Sequence, residues 1–427
     1  MMTLAIQGGR VLRPDMTVAR ADVLVEDGRI EAIEEGIDAD QTLDAEGSLV
    51  MPGLVNPHCH VPMSLLRSNA DDMQLGPWLR EAIWPVEAEL TAEDVRSGSE
   101  LGLVEMIKNG ITTFADMYFF VPEVARAVDD AGMRGLLGYG IITEGKDDEE
   151  SREEVREGIE FAREYDGFAD GRVRTAVMPH SLTTVEPWAL EETAEAADEM
   201  GVPLHFHANE TRNEVDPIVE ERGKRPLEWA EELGMLDGES FVAHGVHCDE
   251  TEIELLAETD TGVGHCPASN MKLNSGIAPV QDMLDAGVDV GVATDGPASN
   301  NDLDQFDELR DAAMIGKLGA DDPTAVSAAS AVEMATWRAA DVLGMDVGRL
   351  EEGAPADLAV VDFEKPHLTP QHDLVSLLAY AVRGGDVRHT VCDGTVLMAN
   401  REVLTLDEDR VRREATERAQ DLLERAE

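Results

Sequence analysis

The sequence contains few lysines, few cysteines and few aromatic residues. Of its 427 residues, six are lysine, four are cysteine and 4% are aromatic. The four cysteines are widely spaced and form no CxxC pair, which argues against a disulfide framework and fits a reducing cytoplasm. No apolar run approaches the roughly 20 residues that span a bilayer, and the N-terminal residues lack the pattern of a signal peptide. We therefore expect a soluble, cytoplasmic protein.

Positive charge is also scarce. The chain has 34 Lys and Arg against 89 Asp and Glu, a formal net charge of −55. The acids are spread along the whole chain, so we interpret them as a solvated surface adapted to high salt. At about 1 M salt the Debye length is only about 3 Å, which screens self-repulsion. A halophilic source is expected, and neither nucleic acid nor an anionic membrane suits such a surface as a partner. A calcium-binding acidic protein is the alternative, but the sequence has no EF-hand loop.

Both ends of the chain contain short strand patterns joined by tight turns. One pattern precedes Asp27-Gly28, and Asp-Gly between apolar runs is a hairpin signal. Neither end has enough strands for a sheet of its own. We expect residues 1–52 and 350–427 to form one small β-sandwich domain, followed by an exposed C-terminal helix from about residue 407.

Residues 53–349 alternate between strand and helix patterns. Eight β-then-α units over roughly 290 residues predict an α/β fold of the (β/α)8 TIM-barrel type. A doubly wound sheet is the alternative, but it rarely needs eight units. The predicted strands end near His60, Met117, Ile141, His180, Glu210, His247, Pro267 and Gly296.

Histidines and acids collect at these strand ends, where a barrel of this kind has its chemistry. His58 and His60 are two residues apart, so in a strand they point to the same face, as metal binding requires. A single histidine there is more often structural, and Asp295 alone could cap a helix. Burying the whole set unpaired would cost several kcal/mol, so the joint pattern predicts a metal site. Eight of the eleven histidines lie in this set of strand ends if His205 is included: His58, His60, His180, His205, His207, His244, His247 and His265.

The order HxH, His, His, Asp on strands one, five, six and eight resembles the amidohydrolase superfamily over nearly the whole chain. Longer motifs are similar to the subgroup of methylthioadenosine/S-adenosylhomocysteine deaminases and triazine hydrolases; they include MPGLVNPHCHVPMSLLR, HFHANET, GHCPASNMKLNSGIAPV and ATDGPASNND. The resemblance implies a hydrolytic deaminase that converts an adenine nucleoside to its inosine analogue and ammonia. Deaminases with a PCxxC zinc motif are excluded because the chain has no CxxC.

The resemblance also implies one divalent metal ion per chain. Three nitrogens and one oxygen favour Zn²⁺, although Fe²⁺ would accept the same donors. Superfamily members with two metals use a carboxylated lysine on strand four, and this sequence has no lysine between Lys146 and Lys224. The implied ligands are His58, His60, His207 and Asp295.

Three catalytic side chains follow from the same resemblance. A bound metal lowers the pKa of water from about 15.7 toward 7, and His244 and Asp295 would hold that water and take its proton. Glu210 would protonate the ring nitrogen beside the attacked carbon; a general acid of this kind contributes about 10²- to 10⁴-fold. Glu210 thereby favours a deaminase over relatives that displace halide.

Substrate contacts are implied for Glu210 and for four further residues. Glu87 matches a family glutamate that binds ribose hydroxyls, with an exposed helix acid as the alternative. His180 matches a histidine that contacts the nucleoside, and His265 is expected to line the pocket. Arg152 matches an arginine on a loop that can reach a neighbouring subunit.

One family position differs in this sequence. Members that bind the amino-acid end of S-adenosylhomocysteine have an arginine near the end of strand three, where this chain has Tyr139. A smaller substrate, such as 5′-methylthioadenosine, 5′-deoxyadenosine or adenosine, is therefore favoured.

Other functions remain open from the sequence. One is a deaminase or chlorohydrolase of another N-heterocycle, such as guanine or a triazine. Another is a metal-free binding protein, which predicts lost ligands, yet all four are present. Because relatives are often homo-oligomers, a dimer or tetramer is expected.

Overall fold

The computed structural model describes residues 2–236 and 239–426. Residues 1, 237, 238 and 427, which fall in the expected domain ranges, lie outside the described residues. The strands are β1 (Leu4–Gln7), β2 (Arg10–Leu12), β3 (Val18–Arg20), β4 (Asp22–Glu26), β5 (Arg29–Glu34), β6 (Gln41–Asp44), β7 (Ser48–Pro52), β8 (Leu54–Cys59), β9 (Ile111–Tyr118), β10 (Arg134–Ile141), β11 (Val173–Thr175), β12 (Met178–Pro179), β13 (His205–Ala208), β14 (Phe241–His244), β15 (Gly262–His265), β16 (Val290–Val292), β17 (Leu358–Asp362), β18 (Val387–Cys392), β19 (Thr395–Ala399) and β20 (Glu402–Val403).

Helices alternate with the strands through the middle of the chain. They are α1 (Leu75–Pro77), α2 (Trp84–Glu87), α3 (Ala92–Lys108), α4 (Val121–Ala131), α5 (Asp148–Tyr165), α6 (Pro187–Met200), α7 (Arg212–Arg222), α8 (Pro226–Glu232), α9 (Glu250–Glu258), α10 (Pro267–Lys272), α11 (Val280–Ala286), α12 (Gln305–Gly319), α13 (Ala328–Met334), α14 (Trp337–Val342), α15 (Leu374–Tyr380) and α16 (Glu408–Ala426). Among the described residues, no helix is both long and apolar enough to cross a membrane.

Two sheets contain the strands of both chain ends. One has the order β5-β4-β1-β6, and the other has the order β20-β19-β18-β17-β7-β2-β3. Strand β17 pairs with β7 in an antiparallel arrangement, with Leu358 opposite Pro52, so strands from the two ends of the chain are neighbours in one sheet. Apolar side chains from both sheets, such as Ile6, Val23 and Val360, are buried in one common cluster.

The strands of the middle region run parallel in two sheets. Their orders are β11-β10-β9-β8, where β12 also pairs with β10, and β13-β14-β15-β16. Val177 bridges to Leu204 between the two sheets, and at the other edge the Asp295 N–H donates to the His58 carbonyl at 3.1 Å. Because all these strands point the same way, their C-terminal ends meet at one end of the α/β fold.

Local sequence accounts for the helix ends. At the start of α3, Thr91 accepts a hydrogen bond from the Asp94 N–H, and the Asp94 carboxylate accepts one from the Thr91 N–H. This reciprocal pair satisfies two donors that the first turn leaves free. Helices α6 and α11 end at Gly201 and Gly287, whose left-handed φ angles of 64° and 89° suit glycine.

The C-terminal helix is not fully exposed, and this part of the expectation is wrong. Helix α16 buries Val411, Ala415 and Leu422 and contacts α3. Arg425 near its end pairs with the buried carboxylate of Asp94. The three apolar residues lie on one face at helical spacing, so they attach an otherwise charged helix to the neighbouring α3.

Candidate active site

A cavity of about 290 Å³ opens at the C-terminal ends of the parallel strands. Imidazoles and carboxyls from several strand ends meet there with aromatic side chains from the loops. Its wall includes His60, Trp78, Trp84, Glu87, Tyr118, Phe119, His180, His207, Glu210, Glu214, His244 and Asp295.

Three imidazoles and one carboxylate converge beside this cavity. The Nε2 atoms of His58 and His60 lie 3.5 Å and 3.4 Å from Asp295 Oδ1. His207 Nε2 lies 3.4 Å from His60 Nε2, and the donor atoms of the three histidines all lie within 4.8 Å of one another. The structure thus brings together the four residues expected to be ligands, in a set of donors that fits a small divalent cation.

The other ring nitrogens show which nitrogen of each histidine is free. His60 Nδ1 donates to the Met117 carbonyl at 2.7 Å, and His207 Nδ1 donates to the His180 carbonyl at 2.6 Å. A neutral imidazole has one donor and one acceptor nitrogen, so both histidines keep a bare Nε2. That is the form in which histidine binds a metal.

His58 also has a bare Nε2, because a second histidine, His205, accepts the proton of its Nδ1. His205 Nδ1 donates to the Phe241 carbonyl at 3.0 Å, so its Nε2 can accept the proton of His58 Nδ1 at 2.8 Å. His58 Nε2 is then bare, buried and without a hydrogen-bond partner among the described residues. Burial lowers the pKa of His58 to about 4, so the ring stays neutral. An unpaired buried nitrogen is costly, and a metal ion would remove that cost.

Asp295 is held with one oxygen turned toward the histidines. Its Oδ2 accepts hydrogen bonds from Ser269 Oγ at 2.6 Å and Ser299 Oγ at 2.7 Å. Its backbone is left-handed, with φ of 58°, a conformation that costs about 1–3 kcal/mol and often marks functional sites. Burial would raise the pKa of Asp295, but the nearby imidazoles outweigh it and keep the pKa well below the ordinary value.

Glu210 and His244 face each other on the same wall. His244 Nδ1 donates to Asn270 Oδ1 at 3.0 Å, while its Nε2 lies 3.6 Å from Glu210 Oε2. Burial raises the pKa of Glu210. Burial would lower the pKa of His244, but the carboxylates of Glu210 and Asp295 outweigh it and raise that pKa. Glu210 therefore holds its proton more strongly than an ordinary glutamate, and the adjacent His244 takes up a proton more readily than an ordinary histidine.

Glu87 ends a helical segment that forms one side of the cavity. Between α1 and α2 this segment contains a π-helical turn, Trp78–Ile83, a feature frequent at functional sites. Tyr118 Oη donates to Glu87 Oε1 at 2.7 Å. Glu87 is half-buried in the cavity wall, so it is not the exposed helix acid of the alternative interpretation, and this burial raises the pKa of Glu87 to about 7.

Two of the expected substrate residues lie away from the cavity. His265 is buried, but it is not part of the wall, and both its ring nitrogens lack partners in the described structure. The Arg152 guanidinium lies over the Trp188 ring, 4.7 Å from its centre. Tyr139 also stays out of the wall, and its hydroxyl donates to Glu154 at 3.1 Å. His180 does line the cavity, with Nδ1 2.8 Å from Thr184 Oγ1.

Sequence reasoning missed the side chains that hold the site in place. Ser269 and Ser299 support Asp295, and Tyr118 supports Glu87. Both serines lie in motifs that resemble the amidohydrolases, which was the available signal, but a serine in a loop has no distinctive pattern of its own. Glu214, on the cavity wall, looks like a surface helix acid in the sequence.

Comparisons with known proteins find relatives that match nearly the whole chain. The 5-methylthioadenosine/S-adenosylhomocysteine deaminase of the halophile Natronomonas pharaonis is 63% identical over 429 residues, covering 100% of both chains. A 5′-deoxyadenosine deaminase of Methanosarcina acetivorans is 46% identical and covers 95% of this chain and 94% of its own. The crystal structure of an adenosine deaminase from Xanthomonas campestris with bound zinc matches with a TM-score of 0.93 and 34% identity, covering 99% and 98% of the two chains. The Amidohydrolase family profile matches residues 49–397, and the chain therefore belongs to the amidohydrolase family.

Proposed function

We propose that the protein is a metal-dependent hydrolytic deaminase of adenine nucleosides. Its substrates would be 5′-methylthioadenosine, S-adenosylhomocysteine, 5′-deoxyadenosine or adenosine, the compounds in the names of its relatives. The observation that carries this proposal is the position of Glu210 and His244, 3.6 Å apart beside the cluster of three histidines and Asp295.

We propose one divalent metal ion, zinc, at His58, His60, His207 and Asp295. The bare, buried Nε2 of His58 and the neutral state of the His58 and His207 rings, whose pKa values burial lowers, support it. Three nitrogens and one carboxylate oxygen are donors that zinc favours. When bound, a metal of this kind supplies an activated water at neutral pH.

The proton transfers of the reaction are carried out by side chains of the cavity wall. In this proposal, His244 and Asp295 take the proton of the attacking water as its oxygen bonds to the ring carbon that bears the amino group. Glu210 gives a proton to the adjacent ring nitrogen, which makes that carbon electrophilic. The amino group takes up the proton that came from the water and leaves as ammonia. The carbon keeps the oxygen as a carbonyl, and the proton of its hydroxyl returns to Glu210.

In this proposal, two residues hold the nucleoside. The buried carboxyl of Glu87 can accept hydrogen bonds from ribose hydroxyls while Tyr118 orients it. His180 uses Nδ1 on Thr184, so its Nε2 remains for the substrate, and burial lowers the pKa of His180 to about 3, so the ring stays neutral. His265 and Arg152 are not part of the wall, so we assign them no contact with the nucleoside within one chain; Arg152 would contribute to a neighbouring subunit of a homo-oligomer, a dimer or tetramer.

The fold proposal follows from the strand contacts. We propose that residues 53–349 form a closed (β/α)8 barrel and that residues 1–52 and 350–427 form a β-sandwich. The contacts at both edges of the two parallel sheets support closure. The shared cluster of apolar side chains supports the sandwich. We further propose that this enzyme acts in the cytoplasm.

The pH dependence of substrate binding tests the role of Glu87. Because burial raises the pKa of Glu87 to about 7, the carboxylate is present above that pH and is protonated below it. A hydrogen bond to a charged group contributes about 1.5–3 kcal/mol, so KM for the nucleoside should rise by up to about tenfold as pH falls from 8 to 6, the limit set by the fraction of Glu87 that is ionised. Steady-state kinetics at molar KCl measure this. Glu87→Gln should have a high KM at every pH, whereas the exposed control Glu93→Gln should keep the wild-type profile. A wild-type profile in Glu87→Gln would contradict the role.

Ammonia release from a panel of nucleosides and bases tests the function itself. The panel contains adenosine, 5′-deoxyadenosine, 5′-methylthioadenosine, S-adenosylhomocysteine, guanosine and guanine, assayed at molar KCl with metal content measured on the same sample. Turnover of the adenine nucleosides with about one metal per chain is expected. Bound metal with no ammonia from any adenine nucleoside would refute the proposal and favour another N-heterocycle.

A further inference from the structure

Glu214 is a buried carboxyl of the cavity wall that the chemistry above does not use. It lies in the first turn of α7, four residues after Glu210, and faces back toward the end of β13. Its Oε2 accepts a hydrogen bond from the Glu210 backbone N–H at 3.0 Å, and the backbone of Asn209 also faces it. Its Oε1 is buried and has no hydrogen-bond partner among the described residues.

The backbone that Glu214 holds is an unusual one. Asn209 is left-handed, with φ of 55°, so the chain turns sharply between ligand candidate His207 and Glu210. Such a turn persists only when its surroundings hold it. The Glu210 side chain has only long contacts in the described structure, 3.4 Å to Ser275 Oγ and 3.6 Å to His244 Nε2. The 3.0 Å bond from its own amide to Glu214 is therefore its closest polar anchor.

The charge state of Glu214 is compatible with this contact. Two titratable side chains face Glu214: Glu210, which follows β13, and His244, which ends β14. Burial raises the pKa of Glu214 to about 8, so at neutral pH the group is a neutral acid. One oxygen then accepts the Glu210 N–H, and the hydroxyl remains free in the cavity. Two adjacent buried carboxyls avoid mutual repulsion in this way.

We propose that Glu214 is a positioning residue for Glu210: its hydrogen bond to the Glu210 amide fixes the backbone from which Glu210 reaches the ring nitrogen of the substrate. This inference rests on the proposed deaminase function. A displacement of about 1 Å at a reacting group can cost about 10²-fold in rate, so one backbone contact at this position has a large effect on turnover.

Three variants separate positioning from simple structural support. Glu214→Met fills the same space without an acceptor and should lower kcat about 10- to 100-fold with KM changed less than about threefold. Glu214→Gln is isosteric with the neutral acid, so its amide oxygen should accept the Glu210 N–H and keep kcat within about threefold of wild type. The matched control Glu220→Met changes an exposed acid of the same helix and should leave kinetics unchanged.

Hydrogen exchange of the Glu210 amide provides a readout that needs no substrate. The peptide that contains residues 205–214 should exchange at Glu210 about tenfold faster in Glu214→Met than in wild type, and Glu214→Gln should restore protection. Equal exchange and equal kcat in Glu214→Met would overturn the inference, as would a loss of kcat that Glu214→Gln does not rescue. If the wild type releases no ammonia from adenine nucleosides, the proposed function fails, while the exchange result still decides whether Glu214 anchors Glu210.

Discussion

Glu210→Gln is expected to lower kcat for adenine nucleosides by about 10²- to 10⁴-fold while leaving the metal bound. Gln has nearly the shape of Glu, so the contacts to His244 and Ser275 keep their geometry. It has no acidic proton, however, and cannot protonate the ring nitrogen. Burial raises the pKa of Glu210, which keeps the acid form available in the wild type. Ammonia release under saturating substrate, with metal content by atomic absorption, measures both quantities.

The control for this variant is Glu199→Gln, an exposed acid on α6. It should retain wild-type turnover because it lies outside the cavity wall. Turnover of Glu210→Gln within a few-fold of the wild type would exclude Glu210 as the proton donor. A large loss of metal together with activity would instead point to a structural role beside His207.

Removal of the metal is expected to abolish ammonia release and to destabilise the fold. The cluster of His58, His60 and His207 brings three bare nitrogens together, two of them facing Asp295, and without a cation the buried His58 Nε2 is unpaired. A ligand at a hundred times its Kd stabilises the folded state by about 2.7 kcal/mol, which for a chain of this size corresponds to a Tm shift of a few degrees. Dialysis against a chelator, followed by activity and calorimetry, measures the loss, and added Zn²⁺ should restore both.

His207→Ala tests the same site without a chelator. It should bind metal at least tenfold more weakly and lose activity, since one of the four proposed ligands is removed. His372→Ala is the matched control because His372 is exposed and far along the chain in the C-terminal region. Full turnover by protein shown to contain no metal would contradict the proposed metal dependence.

Several features of the protein could be predicted from the sequence because they depend on local periodicity. His58 and His60 point the same way because side chains alternate in a strand. Gly201 and Gly287 end helices because a left-handed C-terminal residue favours glycine. The family followed from long motifs around the strand ends, and the family match confirms it. The acidic composition, which anticipated a halophilic source, agrees with the relative from Natronomonas pharaonis.

The sequence by itself therefore determined the alternation of strands and helices, the family and the residue types at the strand ends. Only the tertiary structure decided that His205, 147 residues from His58, fixes its tautomer, and that Ser269 and Ser299 hold Asp295. It also decided that Arg152 lies away from the cavity and that Glu214 lies in its wall. These contacts depend on strand order, register and loop path, which join residues far apart in the chain and leave no local pattern from which they could be predicted.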